Sequence, residues 1–442
     1  MEEGVGSVGG AVGRLSRRLN RRRGGSGGRS APGRQVRDPE EEAILLSIDE
    51  YRSRLLASIE TLPARRISLD DTWGCVLAED VVAPADLPGF TSSAMDGYAV
   101  RSADVASPPA ELRVTGEVRM GQSFDGAVGA GEAIVVPTGG VVPHGADAVV
   151  PVELCDRHGD RVVVLRAVPS GKHIRPAGED AGAGDVLVRA GRRLDAPDVG
   201  ALAAAGLGAA SVIPRARVGV VSTGDELVRP GNPLRDAQIY DANATILAAC
   251  VRDAGGIPVD GGIGRDDAGA LVDALDRIAD DVDAFVCSGG VSAGERDPVK
   301  RAFEATGTMT FANVAMQPGR PQAFGSHRGK PVIALPGNPV SVFVSFVVFA
   351  YPALMKLMGR DESYPDVVAT LEAAIEAPKT RTRYARVRLR RDGDRLVAAP
   401  EGGHQSNLLA TFARADGLAI IPAGATMAAG ESCRVLPVRD LP

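Results

Sequence analysis

Three short loops carry the residues best suited to chemistry, and each follows an apolar run. RVGVVS leads into Thr223-Gly224-Asp225-Glu226. DAFVCS, ending at Ser288, leads into Gly289-Gly290-Val291-Ser292-Ala293-Gly294-Glu295-Arg296-Asp297. VIAL leads into Pro336-Gly337-Asn338-Pro339. Glycines at such positions let backbone N–H groups approach an anion, and a helix N-terminus behind them adds a favourable dipole. No GxxxxGK[ST] occurs, and no GxGxxG stands between a strand and a helix. A nucleotide triphosphatase and a nicotinamide enzyme are therefore not indicated, and a phosphorylated ligand of another kind fits better.

Carboxylates gather at the same loops: Asp225 and Glu226, then Asp241, Asp266 and Asp267, then Asp297. Several carboxylates beside a phosphate site point to Mg²⁺, a hard cation that takes oxygen ligands from protein and phosphate alike. Taken singly, each also fits a helix cap, because Asp241 and Asp266 precede helical runs and Asp297 precedes Pro298. Capping is the better reading for any one of them, and their accumulation at one edge is the stronger signal for a metal. Ser92, Ser93 and Ser222 have no His or Asp at telling spacing, so nucleophilic catalysis has no support. Of the 50 cationic residues only five are Lys. Arg175, Arg320, Arg381, Arg383 and Arg386 stand near glycine or turn signals. Arg can bind oxyanions there, although most of these side chains are expected on the solvated surface.

The elements that must position these loops follow from periodicity. Residues 216–364 alternate strand-like and helical runs, which predicts a central α/β domain with its ligand at the carboxyl ends of the strands. Residues 82–177 break into short apolar strands, Leu112–Val118, Ala133–Val136, Ala148–Val152 and Val162–Leu165, and predict an inserted β-rich domain. Segments 38–81 and 178–215 flank it as a linking helical-β domain. Its first helix is expected to start at Asp38, with Pro39 and Glu41 as capping partners and Ile44, Ile48, Tyr51, Leu55 and Ile59 on one face. Residues 365–442 return to alternation, with Asp392-Gly393 as a hairpin turn, and predict a small closing β-barrel. The fold class is thus multidomain α/β plus β.

Composition narrows the partners. A chain of 442 residues with 44% apolar and 24% charged residues is a globular protein of two to four domains. The formal charge of −6 divides into +7 on residues 1–37 and −13 on the rest, which argues against nucleic acid or anionic membrane as the main partner. Nineteen of the first 37 residues are Gly or Arg, and this tail is expected to be disordered. It lacks an amphipathic stretch, so a solvated extension fits it better than a transit peptide. Five scattered cysteines read as reduced thiols of a cytoplasmic protein, and five scattered histidines offer no zinc site. The longest apolar run, Val340–Met355, has 16 residues with Ser341, Ser345 and Pro352 inside it. It reads as a buried helix, short of a bilayer span.

The motifs, taken in order, resemble the molybdopterin molybdenumtransferases, the MoeA family that includes the gephyrin E domain. They are LPGFTSSAMDGYAV (87–100), PTGGVVPHGADAVVPVE (137–153), IRPAGED (174–180), STGDELVRPG (222–231), IYDAN (239–243), SGGVSAGERD (288–297), MQPGRPQAFG (316–325) and LPGNPVSV (335–342). The resemblance covers roughly residues 43–442 and implies a homodimer of four-domain chains. Each would insert molybdenum from molybdate into adenylylated molybdopterin, releasing AMP, with Mg²⁺. It implies an active site on the α/β domain completed by the β-rich domain of the other subunit. The upstream adenylyltransferase is a further implied partner. Position by position, it points to Asp96, Thr138, Asp180, Glu226, Asp297 and Arg320 for catalysis, and to Glu226, Asp266 and Asp297 for the metal. For the pterin phosphate it points to Thr223, Gly224, Asp225, Ser288, Gly289, Gly290, Ser292, Gly294, Pro318, Gly319, Pro336, Gly337, Asn338 and Ser406. Arg381 is a looser match.

One departure bears on the chemistry. Where many relatives read KPGKP, this chain reads Gln317-Pro318-Gly319-Arg320-Pro321, and Asn313 stands where an upstream family lysine is expected. Weakened molybdate affinity is the expectation, to be restored by Gln317→Lys. The alternatives are a scaffold with reduced catalysis, which the Gln317 and Asn313 positions favour, and a molybdopterin adenylyltransferase, which shares only the α/β domain.

Overall fold

A computed structural model describes residues 45–122, 124–291, 300 and 308–441. The expected tail over 1–37 and the Asp38 cap lie outside these residues. So do Ser292, Gly294 and Asp297 of the second loop.

Seven strands form the central sheet, in the order Leu45–Leu46, Met309–Val314, Pro321–His327, Lys330–Leu335, Ala284–Ser288, Arg217–Thr223, Ile257–Gly264. All run parallel except Pro321–His327, which is antiparallel to both its neighbours. Ala284–Ser288 is buried at every position, as a strand covered on both faces must be. The first helix differs from the expectation, because it begins at Ile48 rather than near Asp38. Leu45 and Leu46 are extended and pair with Asn313 and Val314. Ser47 then caps the helix, its Oγ accepting from the Glu50 amide at 3.1 Å. Tyr51, Leu55 and Ile59 do enter the core, as their spacing predicts.

The apolar run after Pro339 is a core helix. Of an 18-residue window in Pro339–Leu357, 78% is buried, so its hydropathy serves packing. Its middle, Phe346–Ala350, is wound as a π-turn. Pro352 has no N–H to offer the Val348 carbonyl one turn back. Arg52 Nε donates to that carbonyl instead, at 3.2 Å.

The β-rich domain is a six-stranded sheet ordered Cys155–His158, Arg161–Val164, Ala110–Glu117, Glu132–Val136, Gly97–Val100, Ala148–Pro151, with apolar clusters on both faces. Chain segments on either side of it pair with each other. Val186–Val188 lies against Val81–Val82, and Ala209–Ile213 joins Arg65–Ser68 and Val76–Leu77. The domain is therefore an insertion. In the C-terminal region, Thr382–Asp392, Arg395–Pro400, Val367–Leu371, Ser432–Pro437 and Gly417–Ile421 close into a five-stranded barrel. Its hairpin turns on Gly393 and Asp394, between the paired Asp392 and Arg395. The short strand Met316–Gln317 leaves the α/β domain to pair in parallel with Thr382 and Arg383 of the barrel.

Candidate active site

Strands that run parallel end at one edge, so the residues after Thr223, Gly264, Ser288, Val314 and Leu335 converge there. Between these loops and the barrel lies a cavity of about 800 Å³. Thr223, Gly224, Glu226, Asp266, Gly289 and Gly290 line its α/β side, with Pro318, Gly319, Arg320, Pro336, Gly337 and Asn338. Arg381, His404 and Ser406 close it from the barrel.

Close approach explains one of the loop glycines. Gly289 has φ +88°, and a Cβ there would stand 2.7 Å from Thr223 Oγ1 and 2.8 Å from the Thr223 carbonyl. A side chain at Gly289 would push the first two loops apart.

The clustered carboxylates divide their labour. Asp241 is buried and caps Ala242–Asp253, accepting from the Ala244 amide and from Ser222 Oγ, each at 3.0 Å. Asp267, rather than Asp266, caps Ala268–Ile278. Asp225 is not among the lining residues and accepts the Asp266 amide, tying two loops together. Glu226 and Asp266 are left on the wall, both exposed. Ser288 is buried beneath the floor, 3.2 Å from Ser222 Oγ.

Cationic and amide groups line the same cavity. The Gln317 carboxamide lines it beside Arg320, and Gln317 Oε1 accepts from Arg383 Nε at 3.3 Å and Nη2 at 3.2 Å. Asn338 Nδ2 donates to Ser406 Oγ at 3.0 Å, fixing the third loop to the barrel. The arginines expected at the solvated surface are more enclosed than that. Arg320, Arg381 and Arg383 are half-buried, and Arg386 is buried with Nη1 on the Leu408 carbonyl. Only Arg175 of the five is exposed. Each of the four is held in or beside the cleft between sheet and barrel.

Residue type alone does not mark Asn243, although it sits in the IYDAN motif. Its Nδ2 donates to the Gly337 carbonyl at 2.7 Å, and its buried Oδ1 has no hydrogen-bond partner. Asp96, Thr138 and Asp180 are not brought to this cavity. All three are exposed on and beside the β-rich domain. Asp96 Oδ1 accepts the Thr138 amide at 2.7 Å, and that amide, with the Thr138 hydroxyl, holds the carboxyl below the usual range. The Asp180 amide donates to the Leu87 carbonyl.

Comparison with known proteins covers nearly all the described chain. Three family models match, described as the MoeA N-terminal region (domains I and II), a probable molybdopterin-binding domain and the MoeA C-terminal region (domain IV). They match residues 46–206, 219–356 and 368–438. Molybdopterin molybdenumtransferase 2 of Mycobacterium tuberculosis is 39% identical over 402 residues, covering 88% of this chain and 98% of the relative. The Haemophilus influenzae molybdopterin molybdenumtransferase is 34% identical over 72% of this chain and 79% of its own. A crystal structure of a molybdopterin biosynthesis MoeA protein from Pyrococcus horikoshii superposes with a TM-score of 0.74 at 30% identity. It covers 90% of this chain and 100% of that one.

Proposed function

The chain belongs to the MoeA family, the molybdopterin molybdenumtransferases that insert molybdenum into molybdopterin during cofactor biosynthesis, and we propose that it does so on adenylylated molybdopterin, releasing AMP. The observation that carries this is the polarity of one cavity. Glu226 and Asp266, Arg320 and Arg381, and the glycine loops all line it. A phosphoanhydride needs a cation on its oxygens, and molybdate needs cationic or N–H donors. One cavity lined by both kinds of group offers both requirements. The adenylyltransferase alternative is not favoured, because N-terminal and C-terminal MoeA regions flank the pterin-binding domain.

Glu226 and Asp266 would hold Mg²⁺. Among the described residues no three metal-binding side chains cluster, and Asp297 lies outside those residues. Two carboxylates suit Mg²⁺, which keeps several waters and takes substrate phosphate oxygens besides. Bound there, the ion would withdraw charge from the phosphoanhydride as AMP leaves. Arg320 and Arg381 would bind and orient the oxyanion, while the Gly289 and Gly290 backbone and the Asn338–Ser406 pair bind the pterin phosphate.

The enzyme would act as a homodimer in the cytoplasm. Asp96, preset as a carboxylate by Thr138, would reach the cavity of the partner subunit together with Asp180. Mixing the protein with adenylylated molybdopterin, Mg²⁺ and molybdate tests the reaction. AMP release that depends on molybdate is expected, and none at any molybdate concentration would favour a scaffold instead.

A further inference from the structure

Loop position 317 and barrel position 383 face each other across a parallel β-pair, where Gln317 is the register partner of Arg383. Side chains at facing positions leave the same face of the ladder and interact directly. Here two guanidinium nitrogens, Nε and Nη2, converge on one atom, Gln317 Oε1. Among the described residues no carboxylate ion-pairs with Arg383. Gln317 lines the main cavity, whereas Arg383 lines a smaller one behind it, about 190 Å³, which shares Gln317, Pro318 and His404. Glu376 and Arg386 also line this smaller cavity.

We infer that Arg383 is a positioning residue for oxyanion binding, acting through the Gln317 carboxamide; this rests on the molybdate reading of the main cavity. Only the oxygen of a carboxamide can accept, so a guanidinium on Oε1 fixes which end faces back. The remaining polar end of Gln317 is its NH₂ group, with two N–H donors for an oxyanion in the cavity. Charge-assisted hydrogen bonding to the carbonyl polarises the amide and strengthens those donors. The positive charge expected at 317 is supplied in this chain from one strand across, at Arg383. A lysine at 317 would set an ammonium opposite the Arg383 guanidinium, and like charges directly opposite repel. On this reading Gln317→Lys alone does not restore affinity.

Molybdate titration by calorimetry, beside molybdate-dependent AMP release, separates the possibilities. Gln317→Glu keeps an acceptor for Arg383 but removes the donors, and should raise the half-saturating molybdate by about tenfold or more. Arg383→Gln should raise it severalfold with kcat near wild type, since Arg383 does not touch the reacting atoms. Gln317→Lys alone should not lower it, and the double variant Gln317→Lys/Arg383→Gln should recover most of the loss. Melting temperatures serve to set aside any variant that has merely lost its fold. Wild-type affinity in Arg383→Gln, or tighter binding in Gln317→Lys alone, would overturn the inference. If wild type neither binds molybdate nor releases AMP, the reading of the cavity itself fails.

Discussion

The cavity of the α/β domain and the Asp96–Thr138 turn of the β-rich domain both present carboxylates, but they are built in opposite ways. In the cavity, parallel strands end together, and several carboxylates are taken up by backbone amides and helix ends. Asp225, Asp241 and Asp267 are engaged in that way, which leaves Glu226 and Asp266 on the wall. The β-rich turn has a single exposed carboxylate, already held by the Thr138 amide and outside the lining of the α/β cavity. The first region is a site assembled within one chain. The second is a prepared group facing outward, which is what a contribution to another subunit requires.

The largest effect expected from this contrast is complementation. Asp96→Asn and Glu226→Gln chains should each lose molybdate-dependent turnover almost completely. Mixed dimers retain one composite site whose two halves are both intact, so co-refolded mixtures should recover up to about a quarter of wild-type activity if chains pair at random. No recovery in dimers shown to be mixed would mean that the two regions do not share a site.

A second test concerns rigidity. Gly289→Ala puts a Cβ 2.7 Å from Thr223 Oγ1 in a backbone region that side chains rarely adopt. It should cost about 1–3 kcal/mol in thermal unfolding and most of the activity. Gly139, in the outward-facing turn, also has positive φ, but its nearest neighbour would be Met120 Cε at 3.6 Å. Gly139→Ala should be milder, and equal losses would remove the distinction between a tightly assembled region and an open one.

How much of this was legible beforehand depends on the distance over which a residue acts. The βαβ pattern located the three loops, because strand and helix periods are local and the ligand edge follows from parallel order. Residue type alone could not separate Asp241 from Asp266. Both precede helices, and only the fold shows that Asp267 takes the cap and frees Asp266. The start of the first helix is not visible in local sequence, because Leu45 and Leu46 pair with distant Asn313 and Val314 in strand form. The Gln317–Arg383 pair was invisible for the same reason: 66 positions separate its members, and barrel register brings them together.

That division of labour yields a third, smaller contrast. Asp241→Ala removes a cap and the acceptor for Ser222 Oγ, and should lower stability by about 1–2 kcal/mol in chemical denaturation. Asp266→Ala should leave stability within about 0.5 kcal/mol, as an exposed substitution away from any cap does. It should nonetheless weaken the Mg²⁺ dependence of turnover. Comparable destabilisation by both would show that Asp266 is structural after all.

The smallest effect lies in the outward-facing half. The Thr138 amide is the main cause lowering the Asp96 pKa, and the Thr138 hydroxyl adds to it. A carboxyl whose folded pKa is depressed keeps its favourable interaction above its unfolded value, near the ordinary Asp pKa of about 3.9. The interaction is lost as pH falls through the lower folded value. Carboxyl-carbon NMR of the folded protein should therefore place the Asp96 midpoint below the ordinary range. Thr138→Val removes the hydroxyl and keeps the amide, so the midpoint should move back only part of the way. Asp96→Asn keeps an oxygen for the amide but no charge, and should leave the turn folded while removing the titration. An Asp96 midpoint at the ordinary value, unmoved by Thr138→Val, would mean that the turn does not preset this carboxylate.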